Sequence, residues 1–163
     1  MMTDAAQARA GDGLPESVKD AVEIALDDEY KAEAFYDAVI EKFGPVRPFV
    51  NIVEAERRHA RRLENLLTAY GLSLPENGYR TGAKQTPAVP ASLIEACQTG
   101  VDAEIENAAL YEDRLLPAVA DYPDIAAAMN DLMSASRDRH LPAFQRCVAR
   151  GGMGGRGRNR TNR

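Results

Sequence analysis

Apolar residues recur at steps of three and four along most of the chain, and no stretch alternates with a period of two for long. Steps of three and four place apolar side chains on one face of an α-helix, whereas a half-buried strand would alternate. The pattern therefore predicts an all-α protein. We place its four long helices at residues 15–43, 48–70, 91–120 and 123–149.

The connections between these helices predict how they pack. The first two helices are joined by the short segment "GPVRP" and the last two by a turn at "DYPD", so each pair should form an antiparallel hairpin. Residues 72–90 are rich in proline, glycine and polar residues and have no helical period. At roughly 3.3 Å per residue they can span about 60 Å, which is more than the length of one helix. Two hairpins joined by this crossover predict an antiparallel four-helix bundle.

Three regions follow from this pattern. We assign residues 15–150 to the bundle and residues 1–14 to a flexible N-terminus. Residues 151–163 hold five glycines and four arginines and have almost nothing to bury, so we expect a disordered tail.

Five ionisable residues interrupt the apolar faces of the predicted helices. They are Glu29, Glu56, His59, Glu104 and His140, and they include both histidines of the chain. Residues equidistant from the turn of an antiparallel hairpin lie side by side, so Glu29 should be level with His59, and Glu104 level with His140. The crossover then lets both pairs meet near the middle of the bundle.

Buried carboxylates need a partner charge. Three of them in one apolar interior would each cost several kcal/mol, on the order of the penalty for an unpaired buried ion. Glu oxygens and His nitrogens suit iron or manganese, and one or two such ions would neutralise the cluster. The simpler interpretation is a solvated helix face, because the arginines 57, 58, 61 and 62 surround the Glu56-x-x-His59 motif.

The chain resembles the ferritin-like superfamily over about residues 20–148, and within it the rubrerythrin-like members and bacterial ferritin-like domains of unknown function. The stretches "DDEYKAEAFY", "NIVEAERRHARRL", "AEIENAALY" and "SRDRHLPAF" are similar to the four ligand-bearing helices of that superfamily. The resemblance implies a ferritin-like bundle with a metal centre. Its ligands would be those same five residues, with Glu56 as a bridging carboxylate.

The fourth helix departs from the family pattern. The family has a glutamate three residues before the histidine, where this chain has Arg137, and Asn107 replaces a further carboxylate of the third helix. An inward Arg137 would pair with Glu56 or Glu104 and leave a metal-free binding or structural module. If Arg137 turns outward, a mononuclear or asymmetric site remains open. Pro142, two residues past His140, predicts a kink.

The resemblance implies a ferritin-like metal-binding protein. Its metal would be iron, and its activity ferroxidase or peroxide- or oxygen-reducing chemistry. From their inward position near the cluster, Tyr36 and Tyr111 would serve as redox or hydrogen-bonding residues or simply belong to the apolar core. The cysteine pairs of a rubredoxin-type domain are absent from the sequence, so an external electron donor would be the partner. In the metal-free alternative, the partner is a second copy or another protein.

Charge and composition limit the other partners. The net charge of −5 combines −9 for residues 1–150 with +4 for the tail, so we expect no nucleic-acid binding except through the tail. The sequence shows neither a signal peptide nor a membrane span, which predicts a cytoplasmic protein. Cys97 and Cys147 lie at equal distances from the second hairpin turn, and we expect neighbouring free thiols, with a disulfide as the alternative.

Overall fold

The computed structural model describes residues 13–152 of the protein. Within that range the chain is helical and contains no strand, which confirms the predicted all-α class. In chain order the helices are α1 Glu16–Phe43, α2 Phe49–Ala69, α3 Gly78–Thr81, α4 Leu93–Leu110, α5 Leu116–Ala118, α6 Pro123–Ala135 and α7 Leu141–Ala149. None of the described helices is long and apolar enough to cross a membrane. Most of the predicted flexible N-terminus and tail lies outside the described residues.

Two π-helical turns interrupt the third and fourth long helical segments. One spans Tyr111–Leu115 between α4 and α5, and the other spans Ser136–His140 between α6 and α7. In each turn a backbone N–H bonds the carbonyl five residues earlier, from Leu116 to Tyr111 and from Leu141 to Ser136. The next residue after each of these donors is a proline, which has no N–H with which to continue the α-helical pattern. The kink predicted at Pro142 therefore takes the form of a π turn, and a second π turn precedes Pro117.

The helix ends follow from local sequence. Ser92 caps α4 by accepting a bond from the Glu95 N–H at 3.3 Å, while the Glu95 carboxylate accepts from the Ser92 N–H at 3.1 Å. This reciprocal capping box satisfies two backbone donors that the helix leaves free. The end of α2 is closed by Gly71, whose φ of 73° is a left-handed conformation that suits glycine.

The long connection packs along the outside of α1. Its short helix α3, which the sequence pattern did not predict, lets Arg80 pair with Glu33 at 2.7 Å. Further along, Lys84 pairs with Asp27, and the Lys42 ammonium donates to the carbonyl of Pro90 at 2.9 Å. These contacts hold the connection against α1 until α4 begins.

Two apolar clusters form the core, and the polar candidate residues lie between them. One cluster contains Leu26, Leu63, Leu115 and Met129, and the other contains Phe35, Phe49, Val101 and Phe144, each with further neighbours. On α1, for example, Glu29 falls between Leu26 of the first cluster and Tyr36 of the second. The apolar clusters thus fix the helices on both sides of one polar layer.

Cys97 and Cys147 form a disulfide between α4 and α7, with Cα atoms 6.0 Å apart. Their predicted adjacency is confirmed, but the expectation of free thiols was wrong. The two helices approach closely here because Gly100 of α4 has no side chain to separate them, which brings the Cα atoms within disulfide range. No free cysteine occurs among the residues that the structure describes.

Candidate metal centre

The structure brings all five predicted ligand residues into one cluster. They form two groups of three, Glu29 with Glu56 and His59, and Glu56 with Glu104 and His140. Within each group one ligand atom per residue lies within 4.8 Å of the others. Glu56 belongs to both groups, so one carboxylate connects them.

The first group is formed by α1 and α2. The Nδ1 atom of His59 lies 3.1 Å from Glu56 Oε2 and 3.5 Å from Glu29 Oε2. The two carboxylates are almost fully buried, whereas 13% of the His59 side chain is exposed. This group therefore lies nearer to solvent than its neighbour.

The second group adds α4 and the π turn before α7. The Nδ1 atom of His140 lies 3.1 Å from Glu56 Oε1 and 3.5 Å from Glu104 Oε1. Although it is buried, this nitrogen makes no hydrogen bond of acceptable geometry. The His140 ring stacks on that of His59, with centroids 5.6 Å apart. A buried nitrogen that faces two carboxylate oxygens without a hydrogen bond is oriented as a metal ligand would be.

Two buried tyrosines support the outer carboxylates. The Tyr111 hydroxyl donates to Glu29 Oε1 at 3.0 Å, and the Tyr36 hydroxyl donates to Glu104 Oε1 at 2.7 Å. Burial raises the pKa of both phenols well above the usual value, and the carboxylates beside them raise it further. Both tyrosines thus remain protonated and fix the orientation of one carboxylate in each group.

Arg137 does not enter the cluster. Its side chain is half exposed and pairs with Asp138 at 3.1 Å. Ser136 takes the inward position instead, and its hydroxyl donates to Asn107 Oδ1 at 2.6 Å, while the Asn107 amide bonds Asp28. A π turn holds more residues than an α turn. The residue one turn before His140 on the cluster side is therefore Ser136, four positions earlier, and not Arg137, three positions earlier. The contact that the metal-free alternative required is therefore missing.

The buried charges are balanced by protons when no metal is bound. Burial raises the pKa of Glu29 well above its usual value, and the nearby Glu56 carboxylate raises it further. Burial alone would raise the pKa of Glu56, but the polar contacts with Glu29, His140 and His59 outweigh it and lower that pKa. Burial alone would lower the pKa of His140, but Glu104 and Glu56 outweigh it and raise that pKa to about 9. At neutral pH His140 thus carries a proton that a cation would displace, and the raised pKa of Glu29 favours its protonated form.

A pocket of about 260 Å³ between α1 and α4 reaches the cluster. Glu29, Glu56 and Glu104 lie among its lining residues, and so do the exposed Asp102 and Glu106. The pocket gives a small molecule or ion a route from the surface to the carboxylates.

Comparison with known proteins does not assign this protein to a class. No protein-family model, no curated protein and no solved structure matches the chain. The resemblance to ferritin-like proteins therefore stays a prediction from the sequence motifs.

The sequence pattern missed one buried and one half-buried acidic residue. Glu33 is 5% exposed and pairs with Arg57 at 3.3 Å and with Arg80, and it lies four residues after Glu29 on the buried face of α1. Asp28 bonds Asn107, and burial raises its pKa. The spacing of Glu33 from Glu29 and Tyr36 is a signal that could have found it, whereas the bond of Asp28 depends on a partner that is distant in sequence.

Proposed function

We propose that this protein is a ferritin-like metal-binding protein that holds two iron ions in its carboxylate and histidine cluster. Manganese is the second metal that these donors suit. In this proposal the four long helical segments form a ferritin-like antiparallel bundle, and residues 72–90 are its crossover. The contacts of Arg80 and Lys84 with α1 support that arrangement.

The observation that carries the proposal is the sharing of Glu56 between two three-residue groups. Its two oxygens lie 3.1 Å from different histidines, Oε2 from His59 and Oε1 from His140. A carboxylate that faces two ligand sets in this way is placed to bridge two cations. Two divalent ions would also neutralise the three carboxylates. Among the described residues, these carboxylates contact histidines but no lysine or arginine.

The chain's own residues have distinct roles in this proposal. Glu29 and His59 would complete the ligands of one ion, and Glu104 and His140 those of the other. Tyr36 and Tyr111 orient the outer carboxylates through their hydrogen bonds. The bound iron would supply the electron transfer needed to oxidise ferrous ions or to reduce peroxide or oxygen. Arg137 and Asn107 stand where the family pattern has acidic residues, and Ser136 faces inward in place of Arg137, so this side of the site offers fewer ligands.

Metal loading tests the proposal. The protein is titrated anaerobically with ferrous iron, passed through a desalting column, and then exposed to oxygen. We expect about two retained ions per chain, as the two ligand groups require, and an oxo-bridge absorption band after exposure. Retention of neither iron nor manganese would overturn the proposal.

A further inference from the structure

The disulfide lies on the same two helical segments as one half of the cluster. Cys97 precedes Glu104 by seven residues, and Cys147 follows His140 by seven residues. Seven residues are two helical turns, or about 10 Å of rise, so each cysteine shares a helix face with its ligand. The sulfur pair and the second ligand group are therefore stacked along one helix–helix contact.

Buried aromatic side chains fill the space between them. Phe144 is one turn from both His140 and Cys147, and its ring is packed so closely on Gly100 that a Cβ there would lie 2.7 Å away. The rings of Phe144 and Tyr36 have centroids 5.3 Å apart, and Tyr36 donates to Glu104. A continuous row of buried contacts thus connects the sulfur atoms with the cluster.

We propose that Cys97 and Cys147 are a redox-active pair whose dithiol form supplies the electrons for peroxide reduction at the cluster. This inference rests on the proposed function. The dithiol loses two electrons and two protons as its S–S bond forms. The O–O bond of hydrogen peroxide breaks as the peroxide takes up those two electrons and the two protons from the thiols. Together with the two protons that the peroxide already carries, these give two waters. The net reaction converts one dithiol and one peroxide into one disulfide and two waters.

Because both cysteines are buried, direct oxidation of the thiols by peroxide in solution can be distinguished from oxidation through the cluster. Cys97 has no exposed surface and Cys147 has 4%, so peroxide in solution has little access to either sulfur. The pocket between α1 and α4, by contrast, leads to Glu29, Glu56 and Glu104. Oxidation of the pair should therefore depend on metal in the cluster.

The test follows the cysteines by mass. The full-length protein is reduced with a phosphine, loaded anaerobically with ferrous iron and given one equivalent of hydrogen peroxide. It is then quenched with an alkylating reagent, which labels thiols and leaves a disulfide unlabelled. We expect about one disulfide per peroxide in the loaded protein, and retained thiols in the metal-free and zinc-loaded proteins. A Cys97→Ser/Cys147→Ser variant should retain the same number of ions, but its iron should stay ferric after peroxide.

Each of the other outcomes shows whether this inference alone or also the proposed function is wrong. Retained iron with unoxidised thiols overturns this inference alone, and so does equally fast oxidation in the metal-free protein. A reduced wild-type protein that loses its helical circular dichroism overturns it too, because the dithiol must then be an unfolded state. Absence of retained metal overturns the proposed function and this inference together.

Discussion

Glu56 is the residue on which both halves of the candidate centre depend. Its two oxygens face different histidines, and its side chain is buried between Glu29 and Glu104. Glu54, two positions earlier on the same helix, is exposed and pairs with Arg57. Substitutions of these two glutamates can therefore be compared to distinguish the loss of a metal ligand from the loss of a surface charge.

We predict that Glu56→Gln abolishes the binding of two metal ions, because the amide removes the negative charge that both groups share and keeps only one of the two oxygen ligands. Glu54→Gln should leave the stoichiometry and affinity unchanged. Metal titration followed by elemental analysis measures both variants. Two tightly held ions in Glu56→Gln would show that Glu56 is not the shared ligand.

Arg137 shows why a residue count along the sequence can mislead. In a regular α-helix the residue three positions before His140 would face the cluster. On that basis we expected that Arg137 could point inward and replace a metal ion. The π turn adds a residue, so Ser136 faces inward and Arg137 reaches solvent. The motif spacing alone does not reveal this change in register.

Replacing Arg137 with alanine should not change metal affinity, because the side chain contacts Asp138 and not the buried carboxylates. Isothermal titration with manganese compares the variant with the wild type. Ser136→Val serves as the contrasting variant, since it removes the hydroxyl that bonds Asn107. A clear rise in affinity for Arg137→Ala would instead indicate that the arginine repels cations from the cluster.

At the scale of the helical elements, a repeated hexapeptide marks the two π turns. The sequences "DRLLPA" at 113–118 and "DRHLPA" at 138–143 differ at one position, and each overlaps a π turn and its proline. Periodicity predicted helices through both regions but not the wider turn. The proline indicated a disturbance, while its form depends on backbone bonds that periodicity does not report.

The contact between α4 and α7 depends on Gly100. A methyl group there would lie 2.7 Å from the Phe144 ring, which is fully buried and cannot move away freely. We predict that Gly100→Ala destabilises the protein, because overpacking of about 1–3 kcal/mol exceeds the gain of at most about 1 kcal/mol in helix propensity. Urea unfolding followed by circular dichroism measures the change.

A second substitution checks the cause of that loss. Phe144→Leu in the Gly100→Ala background makes room for the methyl group, so the double variant should be less destabilised than the sum of the two single variants. Strictly additive losses would show that the contact with Phe144 is not the reason.

At the scale of the whole molecule, the sequence predicted the helices and the polar layer because both follow from a 3.6-residue period. It also predicted that the cysteines are neighbours, since equal distances from a turn imply equal height. It did not predict the disulfide, because height does not determine oxidation state. Disulfides are typical of oxidising compartments, and the cytoplasmic location stays a prediction.

Metal binding by the whole protein should release protons. At pH 7 His140 is protonated in the absence of metal, because its pKa is about 9, and burial raises the pKa of Glu29 in the same direction. Cations must displace the proton of His140, so affinity should rise with pH and at least one proton should be released per pair of ions. Titration calorimetry in buffers of different ionisation enthalpy counts them. Affinity that does not change between pH 6 and about pH 9 would contradict this charge balance.

The most direct measurement of the central claim is anomalous X-ray scattering from crystals of the full-length protein loaded with manganese or ferrous iron. The account predicts two peaks, one among Glu29, Glu56 and His59 and the other among Glu56, Glu104 and His140. Both peaks should be lost in Glu56→Gln. Well-ordered density for these five side chains with no anomalous peak between them would contradict the assignment of a metal centre.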